Sequence, residues 1–153
     1  MIKHNPTAII AEDEPILATL LQRKLTNEWP DLTVVAVVAD GQSAVEKSLT
    51  FKPDVLFFDI RMPGLTGIEA AQTLLNTWQD EAFPALVFVT AYDEFVIKTS
   101  ETIAIDFLSK PIQTAALQKI VAKLQRNQGS THAFHGKAQL QAALTQLTNL
   151  SKT

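Results

Sequence analysis

The stretch Asp54-Val55-Leu56-Phe57-Phe58-Asp59 places a run of four apolar residues between two carboxylates, and the loop sequence Ile60-Arg61-Met62-Pro63-Gly64 follows. A continuous apolar run of this length is typical of a strand that is buried on both faces. Asp59 would then project from the carboxyl end of that strand. In open α/β sheets ligands bind beyond this edge, so Asp59 is the first candidate for a functional residue.

Polar side chains follow three other apolar segments in the same way. Glu12 and Asp13 come after the first apolar segment, Thr90 after the fourth, and Lys110 after the fifth. Because the carboxyl ends of parallel strands meet at one edge of a sheet, we expect these side chains to lie near Asp59. Acids, a hydroxyl and an ammonium group in one cleft indicate a phosphoryl-transfer site.

The order of apolar segments predicts the fold class. Short runs rich in Val, Ile and Phe alternate with stretches of helical period, which is typical of βα units and a doubly wound parallel sheet with five strands. The predicted strands cover residues 7–11, 33–39, 54–58, 85–89 and 104–108, and the predicted helices cover 15–29, 42–51, 67–78, 93–102, 113–127 and 138–152. The middle three strands are apolar on both faces, as strands buried between helix layers are.

The composition excludes several classes of protein. The 153 residues suffice for one domain with an appendage, and 46% hydrophobic residues with a net charge of −3 are ordinary for a globular protein. No cluster of Lys and Arg predicts contact of this segment with nucleic acid. No apolar stretch is long enough for a membrane span, no leader is recognisable, and cysteine is absent. We therefore expect a cytoplasmic location, with no membrane contact and no redox role.

The grouped acids predict a metal ion. Three carboxylates that face one cleft repel each other unless a cation lies among them, and Mg²⁺ prefers oxygen ligands in octahedral geometry. We expect Asp13 and Asp59 to be direct ligands and Glu12 to be an outer-shell acceptor. The backbone carbonyl of Arg61 would complete the ligands that the protein supplies.

Lys110 and Thr90 are expected to donate to the phosphoryl oxygens. Each signal has an ordinary structural explanation: a turn aspartate, acids that cap a helix, a threonine at the edge of the core, or a solvated lysine. Their joint occurrence, each at a predicted strand end, favours a site. We also predict a cis bond between Lys110 and Pro111.

Four motifs carry a family resemblance over residues 7–127. They are Ala11-Glu12-Asp13-Glu14-Pro15, Phe58-Asp59-Ile60-Arg61-Met62-Pro63-Gly64-Leu65-Thr66-Gly67, Val89-Thr90-Ala91-Tyr92 and Phe107-Leu108-Ser109-Lys110-Pro111. Through these four motifs the chain resembles the receiver domain of two-component response regulators. The resemblance implies a flavodoxin-like (βα)5 fold with strand order 2-1-3-4-5, here with an additional C-terminal helix.

The resemblance also implies roles for individual residues. Asp59 would be the phosphoacceptor, Thr90 the switch hydroxyl, Lys110 the lysine of the pocket and Phe107 the rotating aromatic residue. Phe107 stands where tyrosine is common in the family, so no phenolic hydroxyl is available there. The domain would be a signalling module that catalyses only its own phosphorylation and dephosphorylation, with a histidine kinase as phosphodonor and a homodimer as the phosphorylated form.

The output of this signalling module stays open at the level of the sequence. Thr90-Ala91-Tyr92-Asp93-Glu94-Phe95 resembles regulators that carry a LytTR DNA-binding domain, which would lie outside this chain. The alternatives are a stand-alone receiver that acts by protein contact, and a scaffold that works without phosphate. A phosphatase of the haloacid dehalogenase type is disfavoured because Arg61 occupies the position of that family's second acid.

The expected domain organisation is a receiver over residues 1–127, a linker over 128–136 and an amphipathic helix over 137–153. The helix has an apolar stripe that includes Leu140, Leu144 and Leu147, and a helix of this length is marginal alone in water. The stripe could bury against the receiver itself, against a second chain, or against an absent output domain. Its spacing favours a second chain, with an interdomain linker as the alternative.

Overall fold

Five parallel strands form a single sheet in the order β2-β1-β3-β4-β5, which confirms the predicted fold. The computed structural model describes residues 5–79, 82–91, 105–127 and 137–151. The strands are β1 (Thr7–Ala11), β2 (Thr33–Val38), β3 (Val55–Asp59), β4 (Ala85–Thr90) and β5 (Asp106–Ser109). The helices are α1 (Pro15–Glu28), α2 (Gly41–Phe51), α3 (Gly67–Thr77), α4 (Thr114–Asn127) and α5 (Lys137–Ser151). The predicted helix over 93–102 and the predicted linker lie outside the described residues.

The central strand β3 runs one residue later than the sequence predicts. Asp54 precedes the strand, and its Oδ2 accepts a hydrogen bond from the Thr7 N–H at 2.8 Å, which ties the start of β1 to the start of β3. Asp59 is the last residue of the strand and pairs in register with Val89 of β4. Its backbone is therefore fixed by the sheet and not by the loop that follows.

Helices cover both faces of the sheet. Alternate strand residues divide between two apolar clusters, one with α1 and α4 and the other with α2, α3 and α5. β3 and the last five residues of β4 are buried, as predicted for strands between helix layers. Within the described residues, no helix is both long and apolar enough to cross a bilayer.

The prediction that β2 is buried on both faces was wrong. β2 lies at the edge of the sheet, and its residues are half-buried or exposed, with Val37 44% exposed. Its pairing with β1 shifts between Ala8, which faces Val34, and Ile9, which faces Ala36. The shift leaves Val35 as an extra residue on the β2 side, which is the arrangement of a β-bulge.

The structure places the stripe of the C-terminal helix against α3 of the same chain, where the sequence favoured a second chain. Leu144 and Leu147 of α5 are fully buried and Leu140 nearly so, in the apolar cluster that includes α3 of the same chain. Gln72 of α3 donates from Nε2 to Thr148 Oγ1 at 3.0 Å. The stripe therefore packs on the receiver's own surface, because α3 offers it an apolar face without the need for a second chain.

Candidate functional site

The turn between β1 and α1 holds the first two acids. Glu12 is buried, with 6% exposure, and its backbone N–H donates to the Val38 carbonyl at 2.9 Å. Its side-chain Oε2 accepts from the Glu14 N–H at 3.1 Å. Asp13 is exposed, so its carboxylate can face solvent at the mouth of the cleft.

The end of β3 holds the third acid in a rigid setting. Asp59 is 6% exposed, and its Oδ1 accepts a long hydrogen bond of 3.4 Å from the Arg61 N–H. The Gly67 N–H donates to the Ile60 carbonyl at 2.8 Å. A Cβ at Gly67 would overlap the Asp59 carbonyl oxygen. Only glycine allows the start of α3 to approach the strand end this closely.

A capping box begins α3. The Glu69 N–H donates to Thr66 Oγ1 at 3.1 Å, and the Thr66 N–H donates to Glu69 Oε1 at 2.9 Å. The two bonds satisfy backbone donors that a helix start leaves unpaired. This element was missed in the sequence analysis, although the Thr-x-x-Glu spacing of 66–69 could have revealed it.

β4 and β5 bring Thr90 and Lys110 to the same edge. Thr90 is 1% exposed, and its backbone carbonyl accepts the Lys110 N–H at 2.8 Å. The Lys110–Pro111 bond is cis, as predicted. Both residues therefore lie at the carboxyl end of the sheet, where the sequence placed them.

The Lys110 ammonium joins two of the acids. Its Nζ lies 2.6 Å from Glu12 Oε1 and 3.0 Å from Asp59 Oδ2. Burial alone would lower the pKa of Lys110, but its hydrogen bonds to Glu12 and Asp59 and their charges outweigh burial and raise the pKa above the ordinary value of 10.5. The pairing with Glu12 was not foreseen, because the sequence does not show which acid a long side chain reaches.

The three acids form a group that could hold a metal ion. Single carboxylate oxygens of Glu12, Asp13 and Asp59 all lie within 4.8 Å of one another. Both oxygens of Glu12 and both oxygens of Asp59 accept from protein donors, whereas the Asp13 side chain is exposed. An all-oxygen, partly open set of this kind fits Mg²⁺, which keeps several of its waters.

Phe107 lies on the sheet face that packs against α3 and α5. It is half-buried, and its ring centroid is 5.9 Å from that of Phe88, with the planes tilted by 38°. It packs against the apolar cluster that contains the leucines of α5. The residue that the resemblance marks as mobile therefore packs against the same apolar cluster as the C-terminal helix.

A second feature missed in the sequence analysis lies on α1. Ile16 is 82% exposed and Leu20, one turn later, is 41% exposed. Pro15 at the start of the helix places this apolar pair directly after the acidic turn. Exposed large apolar residues at helical spacing indicate a contact surface.

Comparison with known proteins agrees with this geometry. The sequence matches the response regulator receiver domain family over residues 8–122. An uncharacterized response regulatory protein of Vibrio cholerae is 40% identical over 153 residues, which cover 99% of this chain and 58% of that protein. The transcriptional regulatory protein BtsR of Escherichia coli is 36% identical over 118 residues, which cover 77% of this chain and 47% of that protein. The chain thus spans about half the length of the curated relatives it matches.

Solved structures show the same fold. The response regulatory domain of mrkE from Klebsiella pneumoniae superposes with a TM-score of 0.67 at 28% identity, over 78% of this chain and 95% of that one. The response regulator TrrA of Thermotoga maritima, in complex with Mg(2+)-BeF, superposes with a TM-score of 0.64 at 25% identity, over 78% and 98% of the two chains. With the strand order and the grouped strand-end residues, these matches show that the chain belongs to the response regulator receiver domain family.

Proposed function

We propose that the chain is a phosphorylation-controlled switch in which Asp59 accepts a phosphoryl group from a histidine kinase. The observation that carries this proposal is a carboxylate at a strand end that is 6% exposed, paired with a lysine and grouped with two other acids. One Asp59 oxygen forms a bond to phosphorus as the phosphorus–nitrogen bond of the phosphohistidine breaks, and the released imidazole nitrogen takes up a proton. The reaction serves signalling, and the chain does not act as a metabolic enzyme.

Mg²⁺ is the proposed cofactor. Asp13, Asp59 and the Arg61 backbone carbonyl would bind it, with Glu12 holding one of its waters. Bound Mg²⁺ supplies positive charge that offsets the charge of the transferred oxygens. The clustering of the three acids within 4.8 Å supports this assignment.

Lys110 and Thr90 would stabilise the phosphoryl group after transfer. Lys110 now neutralises Asp59 at 3.0 Å, so its ammonium is already placed to exchange a carboxylate oxygen for a phosphoryl oxygen. Thr90 would donate its hydroxyl to a second oxygen, and Phe107 would follow into the space behind it. The added charge of roughly −1.5 to −2 provides the interaction energy for such a shift.

The proposed output is control of transcription through a LytTR-type DNA-binding domain in the cytoplasm, with pairing of phosphorylated copies. The similarity to BtsR, a transcriptional regulatory protein, and the resemblance of residues 90–95 support it. This receiver segment itself would contact neither nucleic acid nor membrane. The second candidate is a receiver that acts only by protein contact.

Phosphorylation can be tested by mass spectrometry of the intact chain after incubation with acetyl phosphate and Mg²⁺. We expect one added phosphoryl group that hydroxylamine removes and that Asp59→Asn abolishes. Asp54→Asn is the matched control, since Asp54 immediately precedes the opposite end of β3 and the amide oxygen can still accept from Thr7. Equal labelling of Asp59→Asn and the control would refute the assignment of Asp59.

A further inference from the structure

The C-terminal helix α5 is attached to the receiver by apolar contact. Leu144 and Leu147 are 0% exposed, and Leu140 and Ala143 are 4% and 6% exposed. The segment 140–148 contains no charged residue, and Gln72 adds a hydrogen bond to Thr148. Such a contact depends on the shape of the surface on which α5 packs, because residues 140–148 cannot form an ion pair that would hold the helix if that surface changed.

α3, on which α5 packs, is in direct contact with the phosphoacceptor Asp59. α2 and α5 both pack on α3. The first residue of α3, Gly67, is hydrogen-bonded to Ile60, the neighbour of Asp59, and lies against the Asp59 carbonyl without room for a side chain. The charge and volume that phosphorylation adds at Asp59 would therefore act directly beside the first turn of α3.

A second connection between α5 and the site runs through the apolar cluster that they share. Phe88 and Ile105 are buried in the cluster that includes the leucines of α5, and Phe107 packs against that cluster. Phe88 and Thr90 are two residues apart on β4, so their side chains point to the same face of the sheet. A movement of Thr90 and Phe107 toward a phosphoryl group would therefore change the packing of the cluster that also contains the leucines of α5.

We propose that α5 is a latch that is docked on α3 in the unphosphorylated chain and is loosened when Asp59 carries a phosphoryl group. This inference rests on the proposed phosphorylation of Asp59 and adds a conformational change of α5 that follows from it. Release of α5 uncovers an apolar face of α3 and frees the helix for another contact. Docking of α5 and phosphorylation of Asp59 then oppose each other, through the start of α3 and through the apolar cluster that Phe107 packs against.

Reciprocity sharpens the test. If a phosphoryl group weakens docking by some factor, undocking must strengthen phosphoryl binding by the same factor. Beryllofluoride with Mg²⁺ is the probe, because it mimics the phosphoryl group without a covalent step and gives an equilibrium constant. Coupling between two sites is typically about 5-fold to 150-fold, which both measurements can resolve.

The first measurement is hydrogen–deuterium exchange of the full wild-type chain. Since a helix of this length is marginal without the surface on which it packs, undocking exposes its amides to exchange. We expect beryllofluoride with Mg²⁺ to accelerate exchange of residues 140–148 about 5-fold or more, and to leave Asp59→Asn unchanged. Binding of beryllofluoride without faster exchange in this segment would overturn the latch and leave the proposed function standing. Failure to bind beryllofluoride would instead overturn the proposed function.

The second measurement compares two charge substitutions on α5. Leu144→Glu places a carboxylate in the buried stripe, whereas Thr145→Glu places it on the exposed face of the same turn. We expect Leu144→Glu to bind beryllofluoride more tightly by the factor found in the exchange experiment, and Thr145→Glu to match wild type. Equal affinities for the two variants would contradict the latch. The wild-type exchange decides the question by itself if Leu144→Glu does not fold.

Discussion

Substitution of Leu144 by alanine measures how much the docked helix contributes to stability. Leu144 has no exposed surface, and the change removes three carbon groups at about 0.8 kcal/mol each, or about 2.4 kcal/mol before any cavity is counted. Buried leucine-to-alanine changes cost roughly 2–5 kcal/mol in total. We therefore expect the free energy of unfolding to fall by about 2–4 kcal/mol.

Urea unfolding followed by tryptophan fluorescence suits this measurement. Trp78 lies in the cluster that contains Leu144, whereas Trp29 lies in the cluster on the opposite face of the sheet. Thr145→Ala is the control, because Thr145 is exposed one residue away and surface changes alter stability by about 0.5 kcal/mol or less. If Leu144→Ala lost no more stability than the control, the docking of α5 on α3 would be wrong.

A double variant separates a latch from a permanent part of the core. Leu140 and Leu147 are two helical turns apart, about 10 Å, where substitutions usually act independently. If α5 can leave while the receiver stays folded, the loss in Leu140→Ala/Leu147→Ala stops at the docking free energy and is smaller than the sum of the single losses. Full additivity would show that α5 unfolds only together with the sheet.

Three further predictions concern the site. Asp13→Asn should weaken Mg²⁺ binding in calorimetry by a factor of ten or more, about 1.4 kcal/mol, and a chelator should stop phosphorylation of the wild type; labelling that continues in chelator would contradict the metal assignment. Because Glu12 and Asp59 raise the pKa of Lys110, the stability that this lysine contributes is complete below pH 10.5 and is lost as the pH rises through the raised value. The difference in unfolding free energy between wild type and Lys110→Met, measured in chelator, should therefore stay constant from about pH 7 to pH 10 and shrink above, and a decline near neutral pH would contradict it. The exposed apolar pair of α1 is a candidate contact for the histidine kinase, so Ile16→Arg should slow transfer from the kinase but not from acetyl phosphate, whereas Gln22→Arg, which is exposed on another face of α1, should change neither. Equal effects on both phosphodonors would show that Ile16 does not contact the kinase.

The sequence predicts the sheet because its signals are local. Apolar runs and helical periods alternate five times, and the residues that end each run mark the functional edge, so Asp59, Thr90 and Lys110 were placed correctly. The error in β3 is one residue, since Asp54 hydrogen-bonds to the start of β1 instead of joining the strand. Local patterns of this kind do not depend on which elements become neighbours.

The structure differs from the expectation, or adds to it, where neighbouring elements decide the outcome. An apolar strand has the same sequence pattern at the edge of a sheet as in its middle, so the position of β2 was not visible. The stripe of α5 needs only an apolar surface, and the sequence does not show whether α3 or a second chain supplies it. The pairing of Lys110 with Glu12 likewise depends on the path of a long side chain across the cleft.

The bulge at Val35 bears on how concentrated solutions of this protein behave. An open edge with unpaired backbone groups invites strands from other copies, and many proteins discourage this with charged residues. β2 carries none from Thr33 to Val38, so its irregular pairing with β1 is the feature that interrupts a flat edge. Because this protection comes from backbone shape and not from charge, resistance to edge-to-edge pairing between copies should persist at high salt, where repulsion between surface charges is screened.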